Sequence, residues 1–171
     1  MARRLEVDSV ERVKDLEAQV AQAAVQSTAA LAELMKKGAG LPTLSHIKFK
    51  KIGCDPLDPN RPLNLIEQVN QTFTYLVTLK AVEYLLQKYP AAGPFQLNLG
   101  AIGGSDIGST DGRIAAEVFA ATTPGSNNKL NKDVAKVLRT DAELKYVFYY
   151  SEDPRRVRKF EGVEVVSIEL E

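Results

Sequence analysis

The chain has 171 residues, enough for one domain with a real core, since a chain near this size buries roughly 70% of its unfolded surface. Apolar residues make up 44% and charged residues 26%, which excludes a wholly disordered chain. Twenty-two Lys and Arg balance 22 Asp and Glu, so an overall field that coats nucleic acid or an anionic membrane is excluded, although a local basic patch is allowed. A single cysteine, Cys54, and a single histidine, His46, leave no internal disulfide, no Cys-based zinc cluster and no His-rich metal site. Nothing near His46 looks like a nucleophile turn. No run of about 18 apolar residues marks a membrane span. The start, MARRLEVDSVERV, turns acidic too early for a signal peptide, so a cytoplasmic protein is expected.

In chain order, Leu5 to Lys37 reads as one long helix. Val13, Leu16, Val20, Ala23, Ser27, Leu31 and Leu34 recur at spacings of three and four, a narrow apolar stripe. Asp8 or Ser9 suits its N-cap, and Gly38-Ala39-Gly40 ends it. The helix either packs on its own domain or serves as a dimerisation arm spanning residues 1–40. Residues 41–63 are rich in Pro, Gly and Asp and read as a connector, with one short strand over Ile47–Ile52.

Residues 64–171 read as the compact domain. Asn64 to Tyr89 forms a second helix, with Ile66, Val69, Phe73, Leu76 or Val77, and Leu85 as its buried face, stopped by Pro90-Ala91-Ala92-Gly93-Pro94. Strands follow at Phe95–Leu99, Ser105–Ser109 and Arg113–Ala121, then a helix at Leu130–Arg139. The segment Tyr146–Tyr150 reads as a buried strand and Val163–Leu170 as an edge strand. The fold class is α/β (α+β), a mixed central sheet flanked by helices.

The most informative stretch is SDIGSTDGRIAAEVFA, residues 105–120. Asp111-Gly112 predicts a tight type I′ hairpin. Ile107 then faces Ala116, and Asp106 faces Glu117, which sets two carboxylates opposite each other on one sheet face. Like charges so placed are destabilising. Either one carboxyl keeps a proton or a divalent cation bridges the two, and hard oxygen ligands suit Mg²⁺ or Mn²⁺. The competing reading puts both acids on a solvated face in a shifted register.

This order (helix with Glu, strand, Asp-Ile, hairpin, Ala-Glu-Val, helix, strand) resembles the PD-(D/E)XK, or restriction-endonuclease-like, nuclease superfamily over residues 64–150. There an Asp ends one hairpin strand, a Glu-x-Lys lies on the next, and the preceding helix often adds an acid. The resemblance implies metal-assisted phosphodiester hydrolysis on nucleic acid, most simply DNA; cleaving a duplex needs two sites, so a homodimer or larger assembly through the first helix is expected. Asp106 and Glu117 would hold Mg²⁺ or Mn²⁺ with the main-chain carbonyl of Val118, and Glu67 would be a further acid. The family's lysine position is Phe119, and a phenylalanine can neither orient water nor offset phosphate charge. Lys129 or Lys132 on the following helix are the candidates to replace it. The alternative is a non-catalytic scaffold of the same fold that binds nucleic acid or protein and oligomerises through the first helix.

Three other features have competing readings. Asn64-Leu65-Ile66-Glu67 is also a capping-box pattern, which gives Glu67 a structural role. Gly100, Gly103, Gly104 and Gly108 match no phosphate-loop spacing and suit a bulge or a close backbone approach. Lys129, Lys132, Lys136 and Arg139 share a helix face, and Arg155 and Arg156 fall in a basic loop. These are either phosphate contacts or an ordinary solvated surface.

Overall fold

The computed structural model describes residues 3–100, 103–152 and 160–170. The chain divides into two compact units: residues 14–75 form one, and the residues on either side of that stretch form the other. The boundaries fall inside two long helices.

The larger unit contains a six-stranded mixed sheet. In order across it, its strands are β1 (Arg3–Val7), β4 (Phe95–Leu99), β5 (Ile107–Ser109), β6 (Ile114–Ala120), β7 (Leu144–Tyr150) and β8 (Val163–Ser167). The pairs β1-β4, β4-β5 and β5-β6 are antiparallel, while β6-β7 and β7-β8 are parallel. The run expected after residue 64 (helix, three strands, helix, two strands) is the run observed, with α3 (Leu65–Lys88) and α4 (Lys129–Leu138) as the helices. On one sheet face lie Phe95, Leu97, Ile107, Ala116, Val118, Tyr146 and Phe148, all buried, with the ring of Tyr84 from α3 set edge-on to Phe148 at 5.5 Å. On the other face Ala115, Phe119, Val147 and Tyr149 form a second core with Leu130, Val134 and Val137 of α4. An apolar stripe on α4 at spacings of three and four drives that packing.

Strand β1 corrects the expectation of an uninterrupted helix from Leu5. Arg4 and Glu6 are exposed while Val7 is fully buried, a period of two that pairs with β4. The helix α1 (Val10–Lys37) starts after Ser9, whose Oγ accepts the Arg12 N–H at 3.3 Å, the N-cap expected.

The unit of residues 14–75 contains the rest of α1, α2 (Leu41–Phe49), the hairpin of β2 (Gly53–Asp55) and β3 (Asp58–Leu63), and the first turns of α3. Leu16, Val20 and Ala23 are buried as the stripe predicts. The strand expected over Ile47–Ile52 is instead the end of α2 and the chain leaving it, because Pro42 sits in the first turn, where its missing N–H removes no helical bond. The expected buried face of α3 is also corrected in this unit. Ile66 (49%), Val69 (51%) and Phe73 (43%) are exposed, and Leu65, Gln68, Thr72 and Tyr75 are buried instead. The polar members of that face have internal partners. Gln68 accepts the Cys54 N–H at 2.9 Å and donates to the Ala23 carbonyl at 3.3 Å, and the Tyr75 hydroxyl donates to Asp55 at 3.0 Å. Buried polar groups with partners lose little on leaving water. No helix among the described residues is long and apolar enough to cross a membrane.

Candidate active site: two facing carboxylates and a helix lysine

The hairpin between β5 and β6 has the register read from the sequence: Ile107 pairs with Ala116 and Gly108 with Ala115. The turn itself differs from the expected type I′. Only Gly112 has positive φ (+77°), and its N–H donates to the Ser109 carbonyl at 3.0 Å. Asp111 holds the loop by accepting from Ser109 Oγ at 2.5 Å and from the Arg113 N–H at 3.0 Å, as aspartate does in an Asx turn. One rung beyond the paired strands, Asp106 continues the antiparallel pattern, its carbonyl accepting the Asn98 N–H at 2.8 Å. It therefore stands opposite Glu117 on the face that α4 covers.

Asp106 Oδ2 accepts the Val118 N–H at 2.9 Å. Val118 reaches the site through that N–H, and its side chain is buried on the opposite face. Glu117 is almost fully buried, and Lys136 Nζ donates to its Oε2 at 2.5 Å while lying 3.7 Å from Asp106 Oδ1. Asp133, one turn earlier on α4 and equally buried, accepts from Lys129 Nζ at 2.6 Å. The other oxygens of these two acids, Glu117 Oε1 and Asp133 Oδ2, are buried without a hydrogen-bond partner.

Electrostatics follow from this packing. Burial, reinforced by the neighbouring Asp106 charge, pushes the Glu117 carboxyl up to about 7 against the opposing pull of Lys136. Burial likewise raises Asp133, opposed by the Lys129 bond. Burial alone would lower Lys136, but its bond to Glu117 and the Asp106 charge outweigh that and hold the ammonium above its ordinary value.

Of the α4 lysines, Lys136 reaches both hairpin acids. Lys129, expected there, is bonded to Asp133, and Lys132 is exposed, as is Arg139. The signal for this was present in the sequence: Lys129, Asp133 and Lys136 flank the Leu130, Val134 and Val137 stripe, so they border whatever that stripe covers. Phe119, at the family's lysine position, is a core residue stacked on Tyr149 at 5.6 Å. Glu67 forms the reciprocal capping box, accepting the Asn64 N–H at 3.3 Å while its own N–H donates to Asn64 Oδ1 at 2.8 Å. Arg155 and Arg156 lie outside the described residues.

Among the described residues no three His, Cys, Asp or Glu side chains converge as a ready metal cage. The acids present nonetheless fit a hard cation of the Mg²⁺ kind, which is commonly held through one or two carboxylates, with water and phosphate oxygens filling its other positions. Of the hairpin acids, Glu117 has a buried oxygen, Oε1, without a hydrogen-bond partner, an acceptor such a charge would use. No family model, curated protein or solved structure matches the chain.

Proposed function

We propose that this protein is a metal-dependent phosphodiester hydrolase acting on nucleic acid, restriction-endonuclease-like in its fold, with Lys136 in the role of the missing motif lysine. The observation that carries the reading is the single ammonium of Lys136 in reach of both Asp106 and Glu117. The element order from α3 to β7 is also the one the resemblance implies. Asp106 and Glu117 would hold Mg²⁺ or Mn²⁺, and such an ion supplies positive charge for the phosphate and acidifies a water. Lys136, half-exposed on α4, would turn from Glu117 toward the phosphate and offset its charge. The exposed Lys132 and Arg139 extend the same helix surface for neighbouring phosphates. Cleaving both strands of a duplex needs two copies, and α1, with Val25 (61%) and Met35 (63%) exposed, offers apolar surface for a second chain.

A second reading, a non-catalytic nucleic-acid-binding or protein-binding scaffold, is favoured by Phe119, whose burial against Tyr149 removes the usual lysine. Titration with Mn²⁺ followed by thermal melting separates the two. The hydrolase gains stability that Asp106→Asn abolishes, and with Mn²⁺ it cuts single- or double-stranded DNA in an assay where Lys136→Met is inert. A melt indifferent to Mn²⁺, together with intact DNA, leaves only the scaffold.

A further inference from the structure

Helix α4 covers only part of its sheet face. Its apolar stripe packs on β6, β7 and β8, and a cleft of about 240 Å³ remains over β4 and β5, closed on one side by the loop from Thr140 to Ala142. The floor of this cleft is the cross-strand pair Gly108 and Ala115. That pair lies two residues along the strands from Asp106 and Glu117 on the same face, about 7 Å at the usual strand rise. The lining carries two amides (Gln96 and Asn98, the latter donating from Nδ2 to the Ser105 carbonyl at 2.6 Å), three hydroxyl residues (Ser105, Ser109, Thr140) and one carboxylate (Asp141), and it has no lysine or arginine. It therefore has nothing to attract a second phosphate. A nearly side-chain-free floor with polar walls suits a flat, uncharged, hydrogen-bonding ring. The volume lies below the roughly 300–1,000 Å³ of drug-sized pockets, so one ring system fills it.

We infer that this cleft is a nucleobase pocket, which takes the base of the nucleotide whose phosphate lies at Asp106, Glu117 and Lys136. The inference rests on the hydrolase reading and adds a substrate class to it. A base turned onto the Gly108–Ala115 floor is out of its stack, so the preferred substrate is single-stranded or locally unpaired nucleic acid. Extruding a base from a duplex carries an unstacking and unpairing penalty that a single strand avoids. Gln96 and Asp141 then face the ring edge, where amides and carboxylates recognise base donors and acceptors.

Gly108 provides the test. A Cβ there would meet only the Ile114 carbonyl oxygen, at an ordinary 3.9 Å, so a larger side chain is tolerated by the fold and fills the cleft. With Mn²⁺ present, binding of a deoxynucleoside 5′-monophosphate and of deoxyribose 5-phosphate is measured by calorimetry for the full chain, Gly108→Val and the exposed-loop variant Asp141→Ala. The expected result is at least tenfold tighter binding of the nucleotide by the native chain. Gly108→Val loses that advantage and keeps its affinity for the sugar phosphate, and Asp141→Ala reduces the advantage in part. Equal affinity of the native chain for both ligands, or a Gly108→Val chain with undiminished base preference, overturns the pocket. If Mn²⁺ stabilises the native chain while base preference is absent, the pocket alone fails. If Mn²⁺ gives no stabilisation and neither phosphate binds, the hydrolase reading fails with it.

Discussion

Lys136 Nζ lies 2.5 Å from Glu117 Oε2 and bridges from helix α4 to the middle of strand β6. Two acids held face to face by a hairpin can be reconciled by a proton or by a divalent cation. The structure adds a third means, an ammonium from the helix that follows, with the Val118 N–H also donating to Asp106. These remedies compete for the same oxygens, so the charge state of this cluster governs stability and would govern the affinity for the cation proposed above.

Removing the ammonium strands a buried carboxyl. Lys136→Met is expected to lower stability by about 1–3 kcal/mol at pH 8, below the 3–5 kcal/mol of a fully buried pair because the lysine side chain is 47% exposed. At pH 5 Glu117 holds a proton and the loss shrinks. Adding Glu117→Gln removes the stranded charge, so the double variant recovers much of the loss at pH 8. Urea unfolding at the two pH values measures this, and an equal loss at both would show that Lys136 acts through packing rather than charge.

The pH dependence of the native chain has a definite sign. Glu117 ionises near 7 when folded and near 4.5 when unfolded. Between those values the folded state holds the extra proton, so its contribution is present at low pH and is lost as pH rises from about 4.5 to 7. The shift corresponds to roughly 3 kcal/mol at most. Asp133, also raised by burial, acts in the same direction. Metal-free denaturation from pH 5 to pH 8 should show falling stability, and Glu117→Gln should flatten most of the slope. On the hydrolase reading a cation at Glu117 would have to displace that proton, so any stabilisation by Mn²⁺ should be larger at pH 8 than at pH 6. A native chain that gains stability across this range would contradict the burial of Glu117.

What the sequence reveals here depends on how local each signal is. The Asp-Gly turn and the alternation of Ile107 with Ala116 fix a register within ten residues, so the facing of Asp106 and Glu117 was legible. So was the α1 stripe. The first turns of α3 were not, because Gln68 is buried by partners at Cys54 and Ala23, far away in sequence, and no periodicity of apolar residues reports them. Strand β1 is five residues long and its neighbour is β4, some 90 residues on, so its pairing leaves no local mark. Lys136 was legible as part of a basic face, yet which lysine meets the acids depends on how α4 seats Leu130, Val134 and Val137 on the sheet.

The turn that sets the register is itself open to test. At Gly112 φ is +77° and a Cβ would meet nothing within 4 Å, so Gly112→Ala carries only backbone strain, about 1 kcal/mol. Asp111→Ala removes the acceptor for Ser109 Oγ and the Arg113 N–H and is expected to lower stability modestly, because the carboxylate it removes is exposed. Neither change should move the strands. A slip of either strand by one residue would move its buried Ile107 or Val118 to the other sheet face and put the carboxylate of Asp106 or Glu117 in its place, a far larger loss than the turn can impose. Both variants should therefore keep the pH slope that Glu117 produces, displaced downward by a constant amount. If either variant abolishes the slope, the turn rather than the buried alternation holds the two acids together, and the pairing of Asp106 with Glu117 is more fragile than the packing of its neighbours implies.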